Sequence, residues 1–272
     1  MFSNKKKIYD CIIFFDENFL VNARLNILKD VVDYFIICES YYNYRNQKKK
    51  INFKLIDKKF QNRVRHIILK DKFPDSKNLW KSEEYQREMI FQGIKDAKPD
   101  DLIMYSDADE IPNPMVLKKI IIKKKYAIFM MNMYVYKLNL FNQYETPWQG
   151  TRICKKKDLK SFSFLRKKVL VKNLKKNFFR KLFLEKNIDL IQNGGWHFNN
   201  LNKPAVISKK LKSFAHSEFS RKKFSSIKII KKKIEMHIDL FNRGHIYKLV
   251  KIDNTYPKFI TNNLKLFKNY IQ

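Results

Sequence analysis

A chain of 272 residues that is 44% hydrophobic and 15% aromatic carries the material for a sizeable core, and its 58 Lys+Arg against 26 Asp+Glu leave a formal charge of +32. No run approaches the roughly 18 apolar residues of a membrane span, and Cys11, Cys38 and Cys154 form neither a disulfide framework nor a CxxC pattern. The charge invites a nucleic-acid reading, but Lys, Asn, Ile, Phe and Tyr are all abundant while glycine numbers only 5, as AT-rich codons would produce.

The amino terminus, MFSNKKKIYDCIIFFDENF, sets lysines before an apolar run. Asp10 interrupts that run, Asp16 and Glu17 end it, and no small-residue cleavage site follows, so a signal peptide is not expected. Residues 8–15 read instead as a buried first strand, rich in β-branched and aromatic side chains. Over 19–32, Leu20, Ala23, Ile27, Leu28 and Val31 recur at helical spacing. Residues 33–40 form a second strand ending on Glu39; 51–55 read as a short strand and 63–69 as a better one. Residues 77–97 predict an amphipathic helix with Trp80, Tyr85, Met89, Ile90 and Ile94 on its apolar side.

The next segment, Leu102-Ile103-Met104-Tyr105-Ser106-Asp107-Ala108-Asp109-Glu110-Ile111-Pro112, runs an apolar strand into three carboxylates. Residues i and i+2 of a strand face the same side. Asp107 and Asp109 would then offer oxygen ligands together to a hard divalent cation shared with nucleotide phosphates. Paired aspartates are also common in turns and helix caps. That alternative leaves unexplained why Asp16, Glu17 and Glu39 also fall at strand ends. A helix is expected through 116–124, a strand over 126–136, and a basic, largely helical portion over about 204–272. Strands alternating with helices predict an α/β fold around a mostly parallel sheet, with functional groups at the carboxyl ends of the strands. No repeat or Pro/Gly/Ser-rich linker divides the chain, so one domain over 1–272 is expected.

Other constellations carry two readings each. Glu83 and Arg87 stand one helical turn apart, as an ordinary ion pair or with Arg87 supporting a donor diphosphate. Gly194-Gly195-Trp196-His197 gathers two of the five glycines. It reads as a tight turn, or as a site where Trp196 stacks on a sugar ring and His197 meets a metal or a phosphate. In Ser213-Phe214-Ala215-His216-Ser217-Glu218, solvated surface is the default for the His and the Glu.

With these segments in hand, the chain resembles glycosyltransferase family 17, the β-1,4-N-acetylglucosaminyltransferases of bisecting-GlcNAc addition and their microbial relatives. The resemblance runs over roughly residues 8–267. It rests on IYDCIIFFDENFLVNARLNIL, VVDYFIICES, WKSEEYQRE, DDLIMYSDADEIP, NGGWHF and KSFAHSEF. It implies a GT-A fold, a UDP-sugar donor (UDP-GlcNAc), a divalent cofactor (Mn²⁺ or Mg²⁺) and inversion at the anomeric carbon. Asp107 and Asp109 match the acidic motif that binds metal and donor. Glu17, Arg24, Glu39 and Arg87 match polar positions on the donor side, and Trp196, His197, His216 and Glu218 match the carboxyl-terminal motifs. His197 or His216 would supply a third metal ligand or a phosphate contact. Glu218 is the leading candidate for the general base, with Glu17 in reserve.

Two departures stand out: no amino-terminal anchor like that of animal members, and FFDEN where FFNEL is usual. The expected setting is therefore cytoplasmic and peripheral to the inner membrane face. The expected acceptor is a carbohydrate, lipid-linked, in microbial surface polysaccharide synthesis, with the basic exterior meeting an anionic membrane surface. No nucleic acid is expected as partner, because the basic residues are scattered and no recognition module stands out. The alternatives are a basic nucleic-acid-binding protein and a sugar-nucleotide-binding relative that has lost catalysis.

Overall fold

In a computed structural model, which describes residues 6–75, 77–213 and 220–272, the first apolar run forms β1 (Ile8–Ile13) and the periodic segment after it α1 (Asn18–Leu28). Then follow β2 (Tyr34–Ser40), β3 (Val64–Leu69), α2 (Leu79–Glu88), β4 (Leu102–Asp107), β5 (Glu110–Pro112), α3 (Pro114–Lys118), β6 (Tyr126–Val135), β7 (Leu140–Phe141), β8 (Trp148–Lys155), α4 (Phe178–Lys181) and β9 (Ile188–Asn199). The remainder carries α5 (Pro204–Ser213), α6 (Lys222–Ser225), α7 (Ile227–Glu235), β10 (Lys248–Leu249), α8 (Lys258–Thr261) and α9 (Leu264–Phe267).

One sheet collects the strands in the order β10-β7-β6-β8-β4-β1-β2-β3, with β9 joining β6 and β5. It is parallel from β4 through β1 and β2 to β3. It turns antiparallel where β8 meets β4 and β6, so the sheet as a whole is mixed. Period-2 alternation sends Phe35, Leu102 and Met104 to one face, against Leu20, Ala23, Leu25 and Leu28 of α1. Tyr9, Cys11, Ile36, Cys38, Ile103 and Tyr105 go to the other face, against Ile90, Ile94, Phe162 and Leu165. Burying both faces explains why these strands read as nearly unbroken apolar runs.

Several expected elements differ. The helix over 77–97 is α-helical only through α2 and tightens to a 3₁₀ turn over Met89–Ile94. Its buried side is Ser82, Gln86 and Arg87, while Trp80 and Tyr85 are exposed. Polar partners beneath it, not hydrophobicity, set its rotation: Gln86 Nε2 donates to the Cys38 carbonyl at 2.8 Å and Arg87 Nε to the Tyr105 hydroxyl at 3.0 Å. Residues 51–55 form no strand; the Asn52 and Phe53 amides are taken by Glu39 and the Lys54 and Ile56 amides by Asn18 and Asn22. Helix α3 stops at Lys118, short of 124. The Gly-Gly pair lies inside β9 rather than in a turn. A Cβ on Gly195 would sit 2.2 Å from the Ile111 carbonyl oxygen, and its φ is +138°. These glycines serve the close approach of β9 to its neighbours.

Topology opens a crevice at one place. From β1 the chain proceeds to β2 and β3 on one side, then returns to place β4 on β1's other side. Loops leaving the carboxyl ends of β1 and β4 therefore diverge, the arrangement that leaves a ligand crevice in α/β sheets.

Candidate active site

A cleft of about 900 Å³ fills that crevice, walled by Phe14, Phe15 and Glu17 after β1 and by Asp107, Ala108 and Asp109 after β4. Its other walls come from α2 (Trp80, Glu83, Gln86, Arg87), β8 (Trp148, Arg152), the turn holding Arg166, and α5 (Lys210).

The acidic motif does not act as one continuous strand. Strand β4 ends at Asp107, the chain turns through Ala108 and Asp109, and β5 begins at Glu110. The two aspartates therefore face different partners. Arg166, on a π-helical turn over Phe164–Lys168, pairs with Asp107 and binds Glu110 at 2.9 and 3.1 Å. Asp109 lies 3.5 Å from His197 Nε2 and 3.5 Å from Lys210 Nζ, and Lys210 also reaches Glu17 at 3.1 Å. Strand β9 delivers His197 because it pairs with β5 in a register that sets His197 opposite Glu110. Glu110 is fully buried and also accepts from Trp148 Nε1 at 2.7 Å, and the Trp148 ring packs 4.9 Å from the His197 ring.

These neighbours set the protonation of the cluster. Burial pushes Asp107 up to about 6, aided by the charges of Glu110 and Asp109 and opposed by Arg166. Burial acts in the same sense on Asp109, but the Lys210 and His197 charges outweigh it and hold that carboxyl well below the usual range. Glu110 is likewise lowered against its burial, chiefly by Arg166 and His197. Burial works to lower His197, yet the Asp109 charge raises it on balance.

Two guanidinium groups of the cleft are incompletely hydrogen-bonded. Arg87, 2% exposed, pairs with Glu83 and Tyr105, but its Nη1 has no hydrogen-bond partner among the described residues; the same holds for Nε of Arg152, 3% exposed. Burial and the Arg166 guanidinium pull Arg152 down to about 9, which leaves it cationic at neutral pH. A buried guanidinium with an idle N–H is costly unless an anion completes it. The cleft thus combines a carboxylate turn with guanidinium donors whose hydrogen-bonding capacity is incompletely used.

Of the residues the sequence singled out, Asp107, Asp109, Glu17, Arg87 and His197 line this cleft. Three others do not line it. Arg24 is 1% exposed and sits in the core beneath the cleft, gripping Asp10 at 2.6 and 2.7 Å, Ser106 at 2.9 Å and the Glu110 carbonyl. Glu39 is fully buried and accepts from Lys49 Nζ at 2.8 Å and from the Asn52 and Phe53 amides at 2.7 and 3.1 Å. Trp196 is buried in the apolar core, its Nε1 donating to the Thr255 carbonyl at 3.1 Å, so it offers no face to a sugar. His216 and Glu218 lie outside the described residues. Sequence reasoning missed Arg166, Lys210, Arg152 and Trp148. Glu110 was visible as the third carboxylate, but the cations come from lysine-rich stretches where one basic residue looks like the next.

The donor set bears on a cation in one way. Among the described residues no three His, Cys, Asp or Glu side chains gather to hold an ion by themselves. Asp107 is engaged by Arg166 and Asp109 by His197 and Lys210, so a hard divalent ion held by these two carboxylates would have to draw most of its shell from a ligand's phosphates.

Fold and cleft together define an α/β protein in which carboxylates and guanidinium groups line a cleft at the carboxyl ends of the parallel strands of a mixed sheet. Comparison with known proteins specifies it further: the chain belongs to glycosyltransferase family 17, whose model matches residues 1–244. It is 32% identical over 104 residues to the β-1,4-mannosyl-glycoprotein 4-β-N-acetylglucosaminyltransferases of Homo sapiens and Rattus norvegicus. That match takes in 34% of this chain and only 19% of each relative. Among solved structures, glucosyl-3-phosphoglycerate synthase from Mycobacterium tuberculosis aligns over 94% of this chain and 91% of its own, at 8% identity and a TM-score of 0.40. The inositol-1-phosphate CTP transferase from T. maritima aligns over 71% and 91%, at 14% and 0.34. At these scores neither supports an inference about this chain. No helix among the described residues is long and apolar enough to cross a membrane.

Proposed function

We propose that the cleft transfers a sugar, N-acetylglucosamine from UDP-GlcNAc, with inversion onto a glycan hydroxyl. The acceptor is a carbohydrate under construction, lipid-linked, in a microbial surface polysaccharide. One observation carries the reading: in a chain of family 17, the acidic turn and the buried guanidinium groups of Arg87 and Arg152 converge on one cleft.

The diphosphate of the donor enters against the wall that holds Arg87, Arg152, Arg166 and Lys210, whose combined charge favours an anion there. Glycosyl transfer develops negative charge on the departing diphosphate, so fixed cations in a walled cleft lower the barrier by stabilising that charge. A divalent ion, held by Asp109 and Asp107 together with the diphosphate, would supply further neutralisation of the leaving group. Arg87 is itself fixed by Glu83 and Tyr105, and His197 by Asp109 and the Trp148 ring.

For the attacking hydroxyl a carboxylate must accept the proton from the face opposite the diphosphate. Glu218 is the proposed base and Glu17 the alternative; Glu17 lies in the cleft wall, paired with Lys210. UDP release from UDP-GlcNAc, with and without Mn²⁺, tests the whole. Asp109→Asn should abolish metal-stimulated release in protein that circular dichroism shows still folded at the assay temperature, with a lowered melting temperature because His197 and Lys210 lose their partner; full turnover by that variant would sink the proposal for the acidic turn. Glu218→Gln should depress turnover with UDP affinity retained. A nearly silent Glu218→Gln alongside a dead Glu17→Gln reassigns the base.

A further inference from the structure

Basic charge is spread widely in this chain, but one stretch concentrates it beside exposed aromatic surface. Between Arg166 and Lys186 stand nine Lys and Arg and a single acid, Glu185. Within that stretch, α4 and the turn after it carry Phe178, Phe179, Leu182 and Phe183, which are 70%, 81%, 62% and 92% exposed. Phe178 and Phe179 touch each other, ring centroids 6.0 Å apart. Isolated exposed apolar side chains need no explanation. Four large ones within six consecutive positions, three of them phenylalanine, form a projecting apolar knob.

We propose that this knob docks the protein on an anionic phospholipid bilayer. Phe178, Phe179, Leu182 and Phe183 enter the region between headgroups and acyl chains, where apolar rings shed water. Lys172, Lys175 and Arg180, exposed around them, meet the lipid phosphates. Charge selects this occupant over the others. A second copy of the same surface would bring nine basic groups against nine and repel itself. A nucleic-acid duplex would use the lysines but leave the apolar knob in water. The segment also joins the knob to the cleft, since Arg166, Lys167, Leu170 and Lys172 line the cleft wall just before α4. A docked molecule therefore holds its cleft close to the headgroup plane, so that a bilayer-borne acceptor is the kind it can reach.

Docking needs no turnover, so its test is independent of the transfer reaction. The full chain is sedimented with vesicles of phosphatidylcholine alone and with vesicles in which phosphatidylglycerol replaces a quarter of that lipid. Binding is expected to the second and not to the first, and to fall as salt rises. Phe178→Ser/Phe179→Ser/Leu182→Ser/Phe183→Ser should weaken it by roughly a hundredfold or more. Lys175→Gln/Arg180→Gln should weaken it roughly thirtyfold. The melting temperature of both variants should match the parent; if the first does not fold, the second still decides. Equal binding by parent and charge variant overturns the proposal, as does no binding to anionic vesicles. So does self-association, or affinity for single-stranded DNA, that the serine variant alone abolishes while lipid binding is absent.

Discussion

Replacing Arg24 by Met separates a structural role from the donor-side role that its position in the family motif implies. Arg24 holds both oxygens of Asp10, at 2.6 and 2.7 Å, with the two side chains each 1% exposed. Methionine fills most of the same volume but leaves the Asp10 carboxylate buried with no partner. Breaking a buried ion pair by removing one member costs about 3–5 kcal/mol, because the charge left behind is uncompensated. For a chain of this size that corresponds to a fall in melting temperature of roughly 6–20 °C. Ser106 and the Glu110 carbonyl lose a donor at the same time, so the upper half of that range is expected. Differential scanning calorimetry gives the shift, and UDP titration well below the transition gives the affinity of whatever remains folded. Stability should drop with affinity kept within about twofold, since Arg24 does not line the cleft. The double variant Arg24→Met/Asp10→Leu should recover much of the loss, as hydrophobic replacement of a whole buried pair does elsewhere. A melting temperature within about 1 °C of the parent, with UDP binding gone, would refute this reasoning and return Arg24 to the donor site.

Gly195→Ala should cost at least about 2 kcal/mol in urea denaturation, because the new Cβ meets the Ile111 oxygen at 2.2 Å in a backbone conformation that L-residues avoid. Tolerance of alanine there would mean that β5 and β9 can separate without loss. Glu39 gives an acid-side prediction. Burial alone would raise its carboxyl, but the His66 ring, 3.3 Å away, and hydrogen bonds from Lys49 and the Asn52 amide lower it. The folded value thus lies below the unfolded one, so the unfolded chain takes up its proton first. The stability Glu39 contributes is full above the ordinary carboxylate range and is lost as pH falls through the folded value. The melting-temperature gap between parent and Glu39→Gln should therefore narrow from about pH 6 to about pH 3, and a constant gap would argue against the assigned partners.

The strands β1, β2, β4 and β6 were legible because burial on both faces leaves an apolar run that survives even lysine-rich composition, and the acidic motif because carboxylates are scarce in this chain, whereas β8 and β9, interrupted by polar residues and glycines, were not. Of the carboxylates at strand ends, Glu17, Asp107 and Asp109 line one crevice and Glu39 does not. Periodicity failed where polar contacts overrode it: α2 turns Gln86 and Arg87 inward because the Cys38 carbonyl and the Tyr105 hydroxyl lie beneath them. Arg24, Glu39 and Trp196 sit within matched motifs, yet each is buried away from the cleft, holding Asp10, the loop at Asn52 and the Thr255 carbonyl.

The sequence by itself determined the α/β alternation, the strands β1 to β4 and β6, the acidic motif and the family, since each is written in local patterns of hydrophobicity or in ordered motifs. Only the tertiary structure decided which of 58 basic residues enter the cleft. Arg166 lies 59 positions from Asp107, and Lys210 is 193 positions from Glu17 by the same numbering. Their pairing depends on how β9, α5 and the turn at Phe164–Lys168 pack against the end of β4, and no local pattern encodes that packing.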